Sequence, residues 1–232
     1  MGSCADDKAS VRAAILLRRN AIPVQERIRR SEAACNRLVQ EVKTGLAVKT
    51  DAAALGPPQT VPAPTVAVYQ CMGSEVDLHS FILAAYHRGW RVAFPCMMKA
   101  GSATPENFAG DAVESADEQQ RTRMAFRFVS EKMFLEEGAD FMQHPLKSYR
   151  AEDPALTSTA PCPIDVIDSI IVPMTAFDEK KNRLGYGGGN YDRLLAEKAP
   201  ATIVVGIAFR EQQVDTVPTE PHDRPLPSII EA

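Results

Sequence analysis

The chain has 232 residues, 45% of them hydrophobic, and a formal net charge of -4. That length favours one sizeable core over several domains, and the mildly acidic balance excludes the global basic field that gathers nucleic acid. The five cysteines, Cys4, Cys35, Cys71, Cys96 and Cys162, are scattered and form no Cys-x-x-Cys pair, which argues against a disulfide framework or zinc knuckle and for a reducing, cytoplasmic setting.

No apolar run is long enough to span a membrane, and the N-terminus lacks a signal peptide's apolar core. Met1-Gly2-Ser3-Cys4-Ala5-Asp6 opens like a myristoylation signal but has Asp6 where Ser or Thr is wanted. Neither a membrane nor nucleic acid is expected as a partner. Ala5 to Asn20 reads as a helix with Val11, Ile15 and Leu16 on one stripe. Pro23 suits the first turn of a second helix to about Val42, with Ile28, Leu38, Val39 and Val42 on its apolar side. Residues 8 to 43 hold nine Lys/Arg against three acids, a balance of +6 that leaves -10 for the remainder. This segment reads either as a basic surface near a phosphate site or as a solvated helix face. Gly45 to Pro64, with Pro57, Pro58, Pro62 and Pro64, reads as an exposed linker or insertion.

Thr65 to Tyr69 is a strand candidate, Asp77 to Arg88 a helix and Arg91 to Pro95 the next strand, which makes one β-α-β unit. Residues 99 to 121 are polar and read as a second insertion. Ala125 to Val129 is a strand candidate followed by a short helix, Glu131 to Glu137. Val166 to Val172 is an apolar strand ended by Pro173. A glycine-rich loop follows, then a helix over Asn190 to Lys198 and a buried strand over Thr202 to Phe209. Apolar strands alternating with helices predict an α/β fold: a three-layer α/β/α sandwich around a mostly parallel sheet, Rossmann-like, in one domain spanning 1–232.

The segment that carries chemistry is Arg183-Leu184-Gly185-Tyr186-Gly187-Gly188-Gly189-Asn190-Tyr191-Asp192. In open parallel sheets, ligands bind beyond the carboxyl ends of strands. Glycines there let backbone N–H groups approach a phosphate, and a helix that starts next adds unpaired donors. Arg183 adds a planar fork of donors. The segment is neither G-x-x-x-x-G-K-[ST] nor G-x-G-x-x-G. Glycine content alone leaves a phosphate cradle and a tight structural turn both open.

The longer string, Phe177-Asp178-x-x-x-Asn182-Arg183-Leu184-Gly185-Tyr186-Gly187-Gly188-Gly189-x-Tyr191-Asp192-Arg193, resembles the signature of the 5-formyltetrahydrofolate cyclo-ligase (5,10-methenyltetrahydrofolate synthetase) family. Lys8-x-x-x-Arg12 resembles that family's N-terminal ATP-binding pair. Tyr69 followed by Glu75-Val76-Asp77 resembles its substrate-side segment. Ile171-Val172-Pro173 and the tail with Gly206 to Phe209, Glu211-Gln212, Val217-Pro218 and His222-Asp223 fit as well. The two insertions, near 45–64 and 99–121, lie outside the match.

The resemblance implies an ATP-dependent ligase that converts 5-formyltetrahydrofolate to 5,10-methenyltetrahydrofolate, with Mg²⁺ as cofactor and ATP as co-substrate. It implies ATP contacts from Lys8, Arg12 and the run Arg183, Leu184, Gly185, Tyr186, Gly187, Gly188, Gly189, Asn190 and Tyr191. Folate contacts are implied at Gln70, Glu75 and the residues from Tyr186 to Asn190, and metal ligands at Asp192 and Asp223. A monomer is expected. Read without the resemblance, Lys8 and Arg12 fit a solvated basic face, Glu75 a helix start, and Asp192 a partner for Arg193 or the helix end.

Three positions depart from the family pattern. Lys181 stands where the family commonly has glycine, which implies another turn type or added charge at the loop mouth. Asn190 replaces a usual tyrosine. His144, in Gln143-His144-Pro145, replaces an acid and is given no role. These departures motivate one rival, a folate- or nucleotide-binding relative without turnover. The other rival is a sugar-phosphate isomerase-like enzyme of similar fold, which the glycine-rich string argues against.

Overall fold

The structure, a computed structural model, describes residues 4–53, 62–99, 122–136, 138–220 and 223–232. Its elements begin with α1 (Cys4–Asn20), α2 (Val24–Ala53), β1 (Thr65–Ala67), α3 (His79–Tyr86), β2 (Arg91–Lys99) and β3 (Thr122–Val129). There follow α4 (Glu131–Leu135), α5 (Asp140–Gln143), β4 (Ser148–Tyr149), β5 (Pro161–Cys162), β6 (Ser169–Val172) and β7 (Ala176–Phe177). The last are β8 (Arg183–Leu184), α6 (Asn190–Glu197), β9 (Ile203–Ala208) and β10 (Ser228–Glu231).

Among the described residues the main sheet runs β10-β9-β6-β1-β2-β3-β5, with β4 also pairing β2. The pairs β1–β2, β1–β6, β6–β9 and β9–β10 are parallel. The expected α/β fold around a mostly parallel sheet is therefore present. The expected strand 125–129 runs antiparallel to β2 and starts earlier, at Thr122.

The strands are apolar without alternation because helices cover both faces of the sheet. In β6, Ile171 points to the cluster built on α2 and α3, while Ile170 and Val172 point to the cluster that holds Leu194 of α6. In β9, Val205 and Ile207 face the first cluster, and Val204 and Ala208 the second. A period of two persists, but both faces are apolar. Burying each such side chain stabilises the fold by about 1.5–3 kcal/mol.

The expected linker at 45–64 is corrected over its first part, since α2 continues to Ala53. Gly45 does not break the helix. A Cβ there would lie 2.6 Å from Ile203 Cδ1, so glycine lets α2 pass close over β9. Leu46 is buried one residue on, and Lys49 reaches Asp168 at 2.8 Å, which ties the last turns to the sheet. Residues 54–61 and 100–121, the rest of the two expected insertions, lie outside the described residues, as does His222. Further differences concern length: the strand expected over 65–69 ends at Ala67, the one expected over 91–95 runs to Lys99, the helix expected over 77–88 spans only His79–Tyr86, and the strand expected from Val166 starts at Ser169 after a tight 3-10 turn.

The segment between β6 and α6, expected to be loop, contains the β7–β8 hairpin. Asp178, 3% exposed, anchors it. Its carboxylate accepts the Asn182 N–H at 3.0 Å, the Asn182 side-chain amide at 2.9 Å and the Val217 N–H at 3.1 Å. Helix α1 packs on this hairpin through Ile15, fully buried with Ala176, Leu184 and Val217. Among the described residues no helix is long and apolar enough to cross a membrane.

Candidate active site

A cleft of about 570 Å³ opens beyond the carboxyl ends of β1 and β6, and every residue expected to bind ATP, folate or metal lies on its wall. One wall is formed by Lys8 and Arg12 of α1. Lys8, Arg12, Ile15 and Arg19 follow at intervals of four, three and four and so share one helix face. Lys8 donates to Glu220 Oε2 at 2.8 Å and to Asp223 Oδ2 at 3.0 Å. Burial opposes its charge, but these two carboxylates outweigh burial and hold the ammonium above its usual range. Arg12 donates through Nε to the Gly185 carbonyl at 2.8 Å, which pins the first glycine of the loop.

The basic segment 8–43 is thus not one solvated face. Lys8 and Arg12 point at the cleft and Arg19 is buried. Arg30 grips Glu211 bidentately at 2.7 Å, whereas Arg29 makes an exposed pair with Glu26.

The second wall is the glycine-rich segment. Gly187 and Gly189 have φ of 101° and 62°, a region that glycine enters without steric cost. Gly188 is not left-handed, and a Cβ there would meet only the Asn190 side chain, nearest at Nδ2, 3.4 Å away. Gly189 is the N-cap of α6 and offers no side chain to cap the first N–H groups. Leu184 lines the cleft, but its side chain packs in the cluster with Ile15. Arg183, its side chain 4% exposed, is paired with Asp192. Its guanidinium lies 6.0 Å from the Tyr191 ring centroid.

The third wall carries Tyr69, Gln70 and Glu75 from the chain after β1. Glu75 is 7% exposed, accepts the Tyr186 hydroxyl at 2.8 Å and accepts the Met72 N–H at 2.9 Å. Burial pushes the Glu75 carboxyl up, and its hydrogen bonds and the charge of Arg19 only partly offset this. Glu75 therefore faces the glycine segment and does not cap α3, whose N-cap has no side-chain hydrogen bond. An apolar floor comes from Pro95, Met97 and Met124 of the β2–β3 pair, with Leu146 at the rim. Sequence reasoning did not place these four, because the β2–β3 register that aligns Met97 with Met124 is a tertiary fact. Glu220 was also missed; the signal was its place between Val217 and Asp223.

Asp192 and Asp223 both line the cleft, yet each already has a cationic partner, Arg183 and Lys8 respectively. Asp223 also accepts the Glu220 N–H at 2.8 Å, which ties down the chain before β10. Mutual repulsion of the two carboxylates is thus relieved by side chains, and their convergence does not by itself demand a metal. As donors they fit one: hard carboxylate oxygens are what Mg²⁺ takes.

The departures have local accounts. Lys181 keeps the left-handed turn, at φ 63°, instead of changing the turn type. Its carbonyl accepts from Leu226 N–H at 2.9 Å and its ammonium donates to the Pro227 carbonyl at 2.7 Å. Asn190 opens α6 and accepts from Arg193 at 2.7 Å, with no ring offered to the cleft. The exposed His144 pairs with Asp140, and it is Pro145 and Leu146 beyond it that reach the cleft.

Fold and site together define an open-sheet α/β protein with a glycine-rich, arginine- and lysine-lined cleft at the carboxyl ends of its parallel strands. The sequence profile of the 5-formyltetrahydrofolate cyclo-ligase family matches residues 5–232, and the chain belongs to that family, which is of the ligase class. A 5-formyltetrahydrofolate cyclo-ligase of Haemophilus influenzae is 43% identical over 79 residues, 34% of this chain and 42% of the relative's length. One of Escherichia coli K12 is 29% identical over 176 residues, 75% of this chain and 80% of that relative. Among solved structures, a 5,10-methenyltetrahydrofolate synthetase of Mycoplasma pneumoniae superposes with a TM-score of 0.59 at 20% identity, covering 97% of this chain and 98% of that one. The Aquifex aeolicus 5,10-methenyltetrahydrofolate synthetase gives 0.61 at 22% identity, covering 97% and 89%. At these identities the two structures speak to the fold.

Proposed function

We propose that this chain converts 5-formyltetrahydrofolate and ATP to 5,10-methenyltetrahydrofolate, ADP and phosphate. The observation that carries the reading is the convergence of Lys8, Arg12, Arg183 and the 185–189 glycines on the same cleft as Glu75 and Tyr186. The chemical difficulty is that a formamide oxygen is a poor leaving group. Transfer of the γ-phosphoryl group of ATP to that oxygen makes it a good one and releases ADP. The N10 nitrogen of the folate then forms a bond to the activated carbon and releases its N–H proton to water, the carbon–oxygen bond breaks, and phosphate leaves with the electron pair.

Such a reaction needs positioning and charge neutralisation rather than a protein nucleophile. Lys8, Arg12 and Arg183 supply the cations, and the glycine backbone and the α6 start supply N–H donors. Glu75 and Tyr186 hold the folate. Asp192 and Asp223 are the residues that would hold Mg²⁺, whose role when bound is to neutralise phosphate charge. The pairing suggests how the site accepts nucleotide: phosphates take over Lys8 and Arg183, and Asp223 and Asp192 are released from them. Freed of those cations, Asp192 and Asp223 would be available to hold Mg²⁺ beside the phosphates.

The test is an absorbance assay with pure, folded protein. The methenyl product's near-ultraviolet band is expected when 5-formyltetrahydrofolate, ATP and Mg²⁺ are all present and in no arm that lacks one of them. Folate binding without turnover would replace this reading by a non-catalytic one.

A further inference from the structure

The α1 stripe ends in a residue that the proposed reaction does not use. Arg19 is 3% exposed, at the last turn of α1. Its Nε donates to Ser74 Oγ at 2.9 Å, and Ser74 in turn bonds Asn20. Its Nη1 has no hydrogen-bond partner among the described residues. A buried guanidinium with an orphaned donor is expensive, and an apolar residue would fill the same space without that cost. Its place accounts for its presence. The guanidinium carbon lies 5.8 Å from the centroid of the Tyr186 ring, and Tyr186 is the residue whose hydroxyl donates to Glu75.

We propose that Arg19 is a positioning residue for the folate side of the cleft: its buried charge keeps Glu75 an anion and keeps the Tyr186 ring seated against it, ready to receive the N–H donors of the substrate's aminopyrimidinone ring. This rests on the cyclo-ligase reading. A carboxylate as buried as Glu75 tends toward its neutral form, and a neutral carboxyl offers one acceptor fewer and a competing donor. The groups that act on or answer to Glu75 come from four places. Arg19 comes from α1, Tyr186 from the glycine segment, Tyr69 and Cys71 from the chain after β1, and Tyr191 from α6. Burial pushes the hydroxyls and the thiol up, so they stay neutral at working pH. Protonation of Glu75 is opposed by the hydrogen bonds from the Met72 N–H and the Tyr186 hydroxyl and by the charge of Arg19.

The experiment is steady-state kinetics of Arg19→Met and Arg19→Lys across pH, with a melting curve for each. In Arg19→Met the acid limb of kcat/KM for 5-formyltetrahydrofolate is expected to move up by about one pH unit, because loss of a nearby opposite charge favours the neutral carboxyl. On that limb KM for the folate is expected to rise about tenfold, as one unit of carboxyl pKa implies. KM for ATP is expected to change little. Arg19→Lys, which restores the charge, is expected to return the limb toward wild type. Arg19→Met with an unshifted limb and an unchanged folate KM overturns the proposal, even if the protein melts earlier. An equal rise in both KM values also overturns it. If Arg19→Met does not fold, Arg19→Gln removes the charge at similar size and is held to the same outcomes. A wild-type protein that forms no methenyl product overturns the reaction and this role with it. An active wild type indistinguishable from Arg19→Met overturns the role of Arg19 alone.

Discussion

Three adjacent glycines look equivalent in the sequence, and the backbone separates them. Gly187 and Gly189 are held at positive φ, while Gly188 is not. A side chain at Gly187 or Gly189 therefore carries backbone strain of about 1–3 kcal/mol whatever the loop binds. Gly188 isolates the functional question, because its Cβ has open space apart from Asn190. Gly188→Val is expected to change stability by less than about 1 kcal/mol, yet to raise KM for ATP at least about tenfold by standing between backbone N–H groups and phosphate. Chemical denaturation and ATP titration of the purified variant check both halves. A fully active Gly188→Val would make the loop a structural turn.

At the scale of elements, the cleft is assembled by two pieces that hold one another. The buried face of α1 lies on the β7–β8 hairpin, so the helix that brings Lys8 and Arg12 rests on the element that leads into the glycines. The hairpin's own anchor is Asp178. Although burial works against its charge, hydrogen bonds from Asn182 and the Val217 N–H outweigh burial and hold its carboxyl below the usual range. Asp178→Ala removes an acceptor of three hydrogen bonds and leaves the buried Val217 N–H unpaired. The expected loss is about 2–4 kcal/mol of stability. Because the folded-state pKa is depressed, this contribution is present above the ordinary aspartate range and is lost as pH falls below it through the lower folded-state value. Urea denaturation at pH 7 and pH 3 checks the point: the gap between wild type and Asp178→Ala narrows at the lower pH, and a gap that is absent at pH 7 denies Asp178 the anchoring role.

For the whole molecule, the thiols report on the integrity of the core. Cys35, Cys71, Cys96 and Cys162 are free, and burial pushes each from an ordinary 9 up to about 12. Unfolding exposes them to water, where they ionise near 9. The unfolded chain thus binds fewer protons than the folded one above that pH, and stability falls as pH rises from about 9 toward about 12. Tyr69, Tyr86, Tyr186 and Tyr191 are raised in the same sense and add to the fall at the upper end. Denaturant titrations from pH 7.5 to about pH 10.5 are expected to show a steepening loss that Cys35→Ala reduces after its own packing cost is subtracted. A flat profile would mean that the thiols are accessible in the native state.

Much of this protein was legible along the chain. The apolar runs over β6 and β9 dictate buried strands, because a segment with no polar face has to be covered on both sides. The spacing of Lys8 and Arg12 dictates a shared helix face, and the glycine-rich string marks the turn that opens α6. Arg19 was legible in the same register, four residues after Ile15, but its charge disguised it as solvated surface. Other features lay beyond the sequence because they depend on which distant segments meet. Gly45 reads as a breaker until Ile203 is seen beneath it, at a spacing no side chain would permit. Asp192 and Asp223, which the family resemblance makes metal ligands, are found already paired with Arg183 and Lys8, partners that no local pattern announces. Local propensity and periodicity are properties of a single segment. Close approach and charge compensation belong to two segments at once, and tertiary structure alone brings those segments together.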